Sequence, residues 1–263
     1  MHGCALRTRD GRRGGAQQAS CFSAMPPPPL PRLSVLGRMS LAVGSAVVSF
    51  ADPRRADLVA ALGETTGAPA LRALRERMSR SPAGRRVLQE RYMFKDDVQK
   101  RLPQLLELPS STFGHCYAKW MRAYGFRADE RPDVRFVDDP ELAYIMLRYR
   151  ECHDFWHTLT ALRPTVLGEL GQKWMEAVHT RLPVATLSAL ASPAMVSSRN
   201  RKVLLSELVP WAVRCGSTCE DLLSVEYEKC FEVDIVELRT RLNVITPRSY
   251  LSDTKVLNPD CLP

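Results

Sequence analysis

Two of the five histidines in the chain stand four residues apart, in His153-Asp154-Phe155-Trp156-His157, and Glu169 follows twelve residues after the second. Two imidazoles and two carboxylates make a donor set that suits zinc, and iron or manganese as well. On a helix His153 and His157 lie about 40° apart around the axis, and Asp154 about 100° from His153. One arc can therefore carry all three, and a second helix folded back against the first can bring Glu169 opposite them. The aspartate is not equivalent to the glutamate of His-Glu-x-x-His proteases. It is one methylene shorter and suits ligation or support better than reaching a water as general base. A phosphohydrolase of the His-Asp type needs a further histidine well upstream, for which His115 is the one plausible candidate.

Spacing alone leaves a second reading open. Histidines at i and i+4 on an apolar face also occur as core residues bonded to a neighbouring acid such as Asp154, and Glu169 can pair with Lys173 one turn on. Cys152 reads as a core thiol, and Arg148 and Arg150 as a solvated helix face in preference to an anion site.

The elements that must position these groups are helical. Asp138-Asp139-Pro140-Glu141 is a helix start, with an acid at the cap and proline in the first turn. An apolar stripe follows through Leu142, Ile145, Tyr149, His153, Trp156 and Thr160, so His153 faces inward. Arg163-Pro164 ends that helix. Thr165 caps the next, whose expected inward residues are Val166, Leu167, Leu170, Trp174, Ala177 and Val178. Further helices are expected over Pro82–Glu90, Phe113–Tyr124 and Arg199–Arg214, the last kinked at Pro210. A long helix is expected from a capping box at Thr218-Cys219-Glu220-Asp221 onward, with residues 91–109 irregular or weakly helical. No strand alternation or repeat is visible. The expectation is a single all-α domain over residues 39–245, with the metal site between two consecutive helices, and a disordered tail over residues 246–263.

The formal charge of +8 invites a nucleic-acid reading, but residues 1–51 hold six arginines against one acid. The remainder is close to neutral, so no nucleic-acid partner is expected. Arginine-rich and acid-poor, residues 1–38 read as an organelle transit peptide, with a low-complexity disordered tail as the alternative. Eight scattered cysteines, with no C-x2-C pair, read as reduced thiols. No apolar run reaches the length of about 20 residues that spans a bilayer.

Several segments in order resemble one family: VAALGETTG at 59–67, RFVDDPELAY at 135–144, RYRE at 148–151, the His-Asp-x-x-His motif with its glutamate, KWMEA at 173–177 and SELVPWA at 206–212. Over residues 40–242 the chain resembles the fourth of the numbered coenzyme Q (ubiquinone) biosynthesis proteins. The resemblance implies an all-helical fold and a zinc site formed by His153, Asp154, His157 and Glu169. It also implies a peripheral protein on the matrix face of the mitochondrial inner membrane, working with other coenzyme Q biosynthesis proteins in a multi-protein complex. The implied activity is a lyase that removes the C1 carboxylate of the lipid 4-hydroxy-3-methoxy-5-polyprenylbenzoate, with or without hydroxylation at that carbon. The alternative is a non-catalytic lipid-binding scaffold whose metal is structural, a reading that a site closed by four protein ligands favours. The chain departs from the family at Ala161-Leu162-Arg163-Pro164-Thr165-Val166, where the family usually reads Gly-x-Pro-Thr-Asn, and at Phe231, where tryptophan is common.

Overall fold

The computed structural model describes residues 34–51, 56–130 and 133–258, so the expected transit segment lies outside the described residues except for its last five. Helices α1 (Val35–Ala51), α2 (Ala56–Thr66), α3 (Ala68–Arg80), α4 (Pro82–Glu90), α5 (Phe94–Glu107) and α6 (Phe113–Tyr124) come first. They are followed by α7 (Pro140–Thr160), α8 (Val166–Thr180), α9 (Pro183–Ala191), α10 (Ser198–Val203), α11 (Val209–Thr218) and α12 (Ile235–Arg241). Among the described residues no strand forms, and pairing is limited to two isolated bridges. The chain is all-α, as its periodicity predicts, and none of the described helices is long and apolar enough to cross a membrane.

Helix α7 is the axis of the fold. Asp139 caps it by accepting from the amides of Glu141 and Leu142, and Pro140 supplies a first-turn residue with no amide to satisfy. Its Phe155, Trp156 and Leu159 are fully buried, as are His157 and Thr158 on its other sides. A helix covered on nearly every face belongs to the centre of a bundle. Phe155 packs edge-on against Phe94 of α5 and Phe113 of α6, and Trp156 donates its indole N–H to Tyr227. Each such ring contributes roughly 1.5–3 kcal/mol by leaving water.

Several segments differ from expectation for identifiable reasons. Residues 94–107 form α5 despite Pro103, which sits on an exposed face where a missing amide bond costs least. Before Pro210 the chain makes a π turn over Leu204–Leu208, since the proline offers no amide to the carbonyl of Ser206. The long helix expected after Cys219 is replaced by 3-10 turns at Leu222–Ser224 and Tyr227–Lys229 and the short α12. Its carbonyls are bonded elsewhere: Leu223 and Val225 accept from the Arg148 guanidinium, and Phe231 and Val233 accept from the amides of Gly114 and Phe113. Arg148 is therefore buried, not solvated, and Arg150 is bonded to Glu64.

The tail expected to be disordered is instead packed as far as Asn258. Leu257 bridges Leu162, the Arg163 amide donates to Val256, and the Asn258 amide donates to Ala161. Backbone groups in this tail are thus paired with the α7–α8 hinge, which it clamps.

Candidate metal centre

The hinge determines what meets what. Helix α7 stops at Ala161, which takes the left-handed conformation at φ 60°. Pro164 prevents the helix from resuming at once, and the Thr165 hydroxyl accepts from the Gly168 amide to start α8. A Cβ built on Gly168 would lie 1.9 Å from the carbonyl oxygen of Arg163, so only glycine permits this tight entry. Glu169 then stands in the first turn of α8, turned back toward α7.

Three of the four expected ligands converge. The Nε2 atom of His153 lies 3.4 Å from one oxygen of Glu169, and Nε2 of His157 lies 3.3 Å from the other. One ligand atom from each of His153, His157 and Glu169 falls within 4.8 Å of the other two. Asp154 stands outside this group and is among the residues that line a small pocket with Phe94, Lys95, Tyr117, Ala128 and Glu151.

The protonation pattern follows from the partners. Nδ1 of His157 lies 3.1 Å from the carbonyl of Leu162, which can only accept, so the proton sits on Nδ1 and Nε2 carries a lone pair. That Nε2 is buried and makes no hydrogen bond. Trp120 stacks on the same imidazole at 5.6 Å, fixing its plane. His153 has its Nδ1 2.5 Å from Glu176, again an acceptor, which leaves its Nε2 aimed at Glu169. A cation between the two Nε2 atoms and Glu169 would satisfy all three, and the outer N–H of each histidine already has the carbonyl or carboxylate partner that metal-bound histidines use. The residues fit a divalent metal.

Electrostatics tie the same residues together. Burial and Lys173 oppose a proton on His153, but Glu176 and Glu169 outweigh them and raise its pKa to about 9. Burial opposes ionisation of Glu169, yet the two histidines hold its carboxyl well below the usual range. The His157 side chain is 0% exposed and that of Glu169 is 38% exposed, so the site opens to solvent chiefly beside Glu169.

Reading the sequence for apolar periodicity missed Glu176, Tyr149 and Trp120 as parts of this centre. Glu176 is fully buried and accepts from the Tyr149 hydroxyl at 2.5 Å and the Lys173 ammonium at 2.7 Å. Lys173 thus pairs with Glu176, not with Glu169. The signal was the hairpin itself, in which residues equally far from the hinge face each other, placing Glu176 across from His153. Of the remaining histidines among the described residues, His115 bonds the Leu108 carbonyl, and His179 bonds the Gly216 carbonyl and the Leu222 amide, both structural.

Comparison with known proteins agrees with this picture. The profile of the family described as "Coenzyme Q (ubiquinone) biosynthesis protein Coq4" matches residues 30–248. A relative from Laccaria bicolor, named a mitochondrial ubiquinone biosynthesis protein COQ4, is 44% identical over 79% of this chain and 69% of its own length. The Bos taurus homolog, also named mitochondrial, is 42% identical over 81% of this chain and 80% of its own. A crystal structure from Nostoc punctiforme shares the fold with a TM-score of 0.62 at 20% identity, over 78% of this chain and 97% of that one. With a helical bundle, a paired-histidine centre and more than four-fifths of the chain matched, the protein belongs to the Coq4 family of ubiquinone biosynthesis proteins.

Proposed function

We propose that His153, His157 and Glu169 hold one divalent metal, zinc by its donor set, and that the protein is a lyase of ubiquinone biosynthesis. The substrate in this reading is 4-hydroxy-3-methoxy-5-polyprenylbenzoate, which loses its C1 carboxylate. What carries the reading is the convergence of three ligand atoms within 4.8 Å on a site whose glutamate is partly open to solvent. Catalytic zinc is held by three protein ligands and keeps a further position open, and two histidines with one glutamate is a known set of that kind. Iron or manganese would satisfy the same donors. The scaffold alternative drew its support from four protein ligands closing the site. Asp154 lies outside the group of three converging ligands, and this weighs toward the open, catalytic kind of site.

Departure of CO2 leaves the bonding electron pair on the ring carbon, and a proton must take the carboxylate's place there; no oxidant is required. When bound, the metal supplies a Lewis acid for an oxygen of the aromatic acid. The chain's own contribution is geometric. Leu162 and Trp120 hold His157, Glu176 holds His153, and the half-exposed Glu169 marks the side from which substrate enters. The relatives' mitochondrial names and the basic, acid-poor start of the chain support a mitochondrial address. The lipid substrate supports a peripheral seat on the matrix face of the inner membrane, beside other coenzyme Q biosynthesis proteins.

The test is release of labelled CO2 from substrate carrying a 13C carboxylate, by purified protein. Release with zinc, lost on chelation and in His157→Ala, is expected. No release by fully zinc-loaded protein overturns the lyase reading.

A further inference from the structure

We propose that Glu176 is a positioning residue for the metal centre, acting through His153 and itself held in place by Lys173 and Tyr149. This rests on the metal reading above. The two histidines are anchored differently. His157 is held by the backbone carbonyl of Leu162, which no substitution removes, whereas His153 is held by a side chain, one carboxylate oxygen of Glu176 at 2.5 Å. The other oxygen of Glu176 accepts from Tyr149 at 2.5 Å and Lys173 at 2.7 Å, so both oxygens are engaged and the carboxylate cannot rotate away.

The arrangement does three things to His153. It puts the proton on Nδ1 and leaves Nε2 to face Glu169. It fixes the ring plane, as Trp120 does for His157. It places a buried negative charge behind the imidazole, which makes Nε2 a stronger electron donor. Lys173 balances that charge and lies within 3.4 Å of the Tyr149 hydroxyl and of His153 Nδ1. The ammonium and Nδ1–H are both donors, so Lys173 serves Glu176 and not the imidazole. Outer partners of this kind change metal affinity by about 10- to 100-fold when removed.

A structural ion pair between Lys173 and Glu176 would give the same contacts, and the experiment separates the two roles. Zinc affinity of the full chain is measured by chelator competition, and the cobalt-substituted protein's visible spectrum is recorded, for wild type, Glu176→Gln and the double variant Glu176→Gln/Lys173→Met. Glu176→Gln leaves the partly buried Lys173 ammonium without its carboxylate partner and loses stability. The double variant removes that ammonium and recovers stability. If Glu176 acts through His153, zinc affinity stays about 10- to 100-fold below wild type in the double variant and the cobalt spectrum changes. Wild-type affinity and spectrum in the stable double variant overturn the role of Glu176 while leaving the metal site intact. A wild-type chain that takes up no zinc overturns the metal reading itself.

Discussion

The Nε2 atom of His157, buried and without a hydrogen bond, lies 3.3 Å from Oε1 of Glu169. Either a proton on Nε2 or a metal ion between the two atoms would relieve their repulsion, and a metal ion at that place reaches Nε2 of His153 as well. Zinc should therefore stabilise the folded protein. At a free concentration one hundred times its dissociation constant, a ligand specific to the folded state adds about 2.7 kcal/mol. For a chain of this size that is a rise in melting temperature of roughly 5–10 °C. Differential scanning fluorimetry with zinc and with a chelator checks it; His157→Ala should abolish the shift.

The approach of Gly168 to the Arg163 carbonyl sets the position of Glu169. Alanine there would place Cβ 1.9 Å from that oxygen, forcing the entry into α8 to open. Gly168→Ala is expected to cost about 2–4 kcal/mol in urea unfolding and to weaken zinc binding as well. Gly44 is the control, since a Cβ there meets nothing within 4 Å and alanine in a helix is favourable by up to about 1 kcal/mol.

His179 makes stability depend on pH. It is buried, its Nε2 accepts from the Leu222 amide, and Arg77 lies beside it, while Asp221 stands farther off at 3.9 Å. Burial first, and then Arg77, lower its pKa to about 4 despite the opposing carboxylate. The unfolded chain, with a histidine pKa near 6.5, takes up the proton first. The stability is thus complete above about pH 6.5 and is lost as pH falls toward about 4. Between pH 7 and pH 5 the loss should be roughly 2 kcal/mol by urea unfolding. His179→Gln should flatten this difference; an unchanged slope in that variant would assign the effect elsewhere.

Much of this organisation was legible in the residues, and the illegible part has a physical cause. Helix α7 announced itself through Asp139-Pro140 and a continuous inward stripe, and the short Pro164-Thr165 turn forced α8 back upon it. That was enough to bring Glu169 to the histidines. Helix α8 misled, because its most deeply buried stripe is Gln172, Glu176 and His179 with Met175 and small residues, while Leu167, Leu170 and Trp174 are only partly covered. A polar stripe carries no hydrophobic period, so Glu176 stayed hidden. The tail was misjudged for a related reason. Its hold on the hinge is made by backbone groups of Val256 and Asn258, which leave no trace in side-chain pattern. Arg148 looked solvated because its partners are carbonyls brought from 75 or more residues away.

The central claim is that His153, His157 and Glu169 make the metal centre, with Asp154 serving a separate pocket. The direct measurement is metal content of the purified protein by mass spectrometry, in wild type, His157→Ala, Glu169→Gln and Asp154→Asn. The expected result is one metal ion per chain in wild type and in Asp154→Asn, and little or none in the other two. Retention of metal by Glu169→Gln, or its loss from a folded Asp154→Asn, contradicts the account.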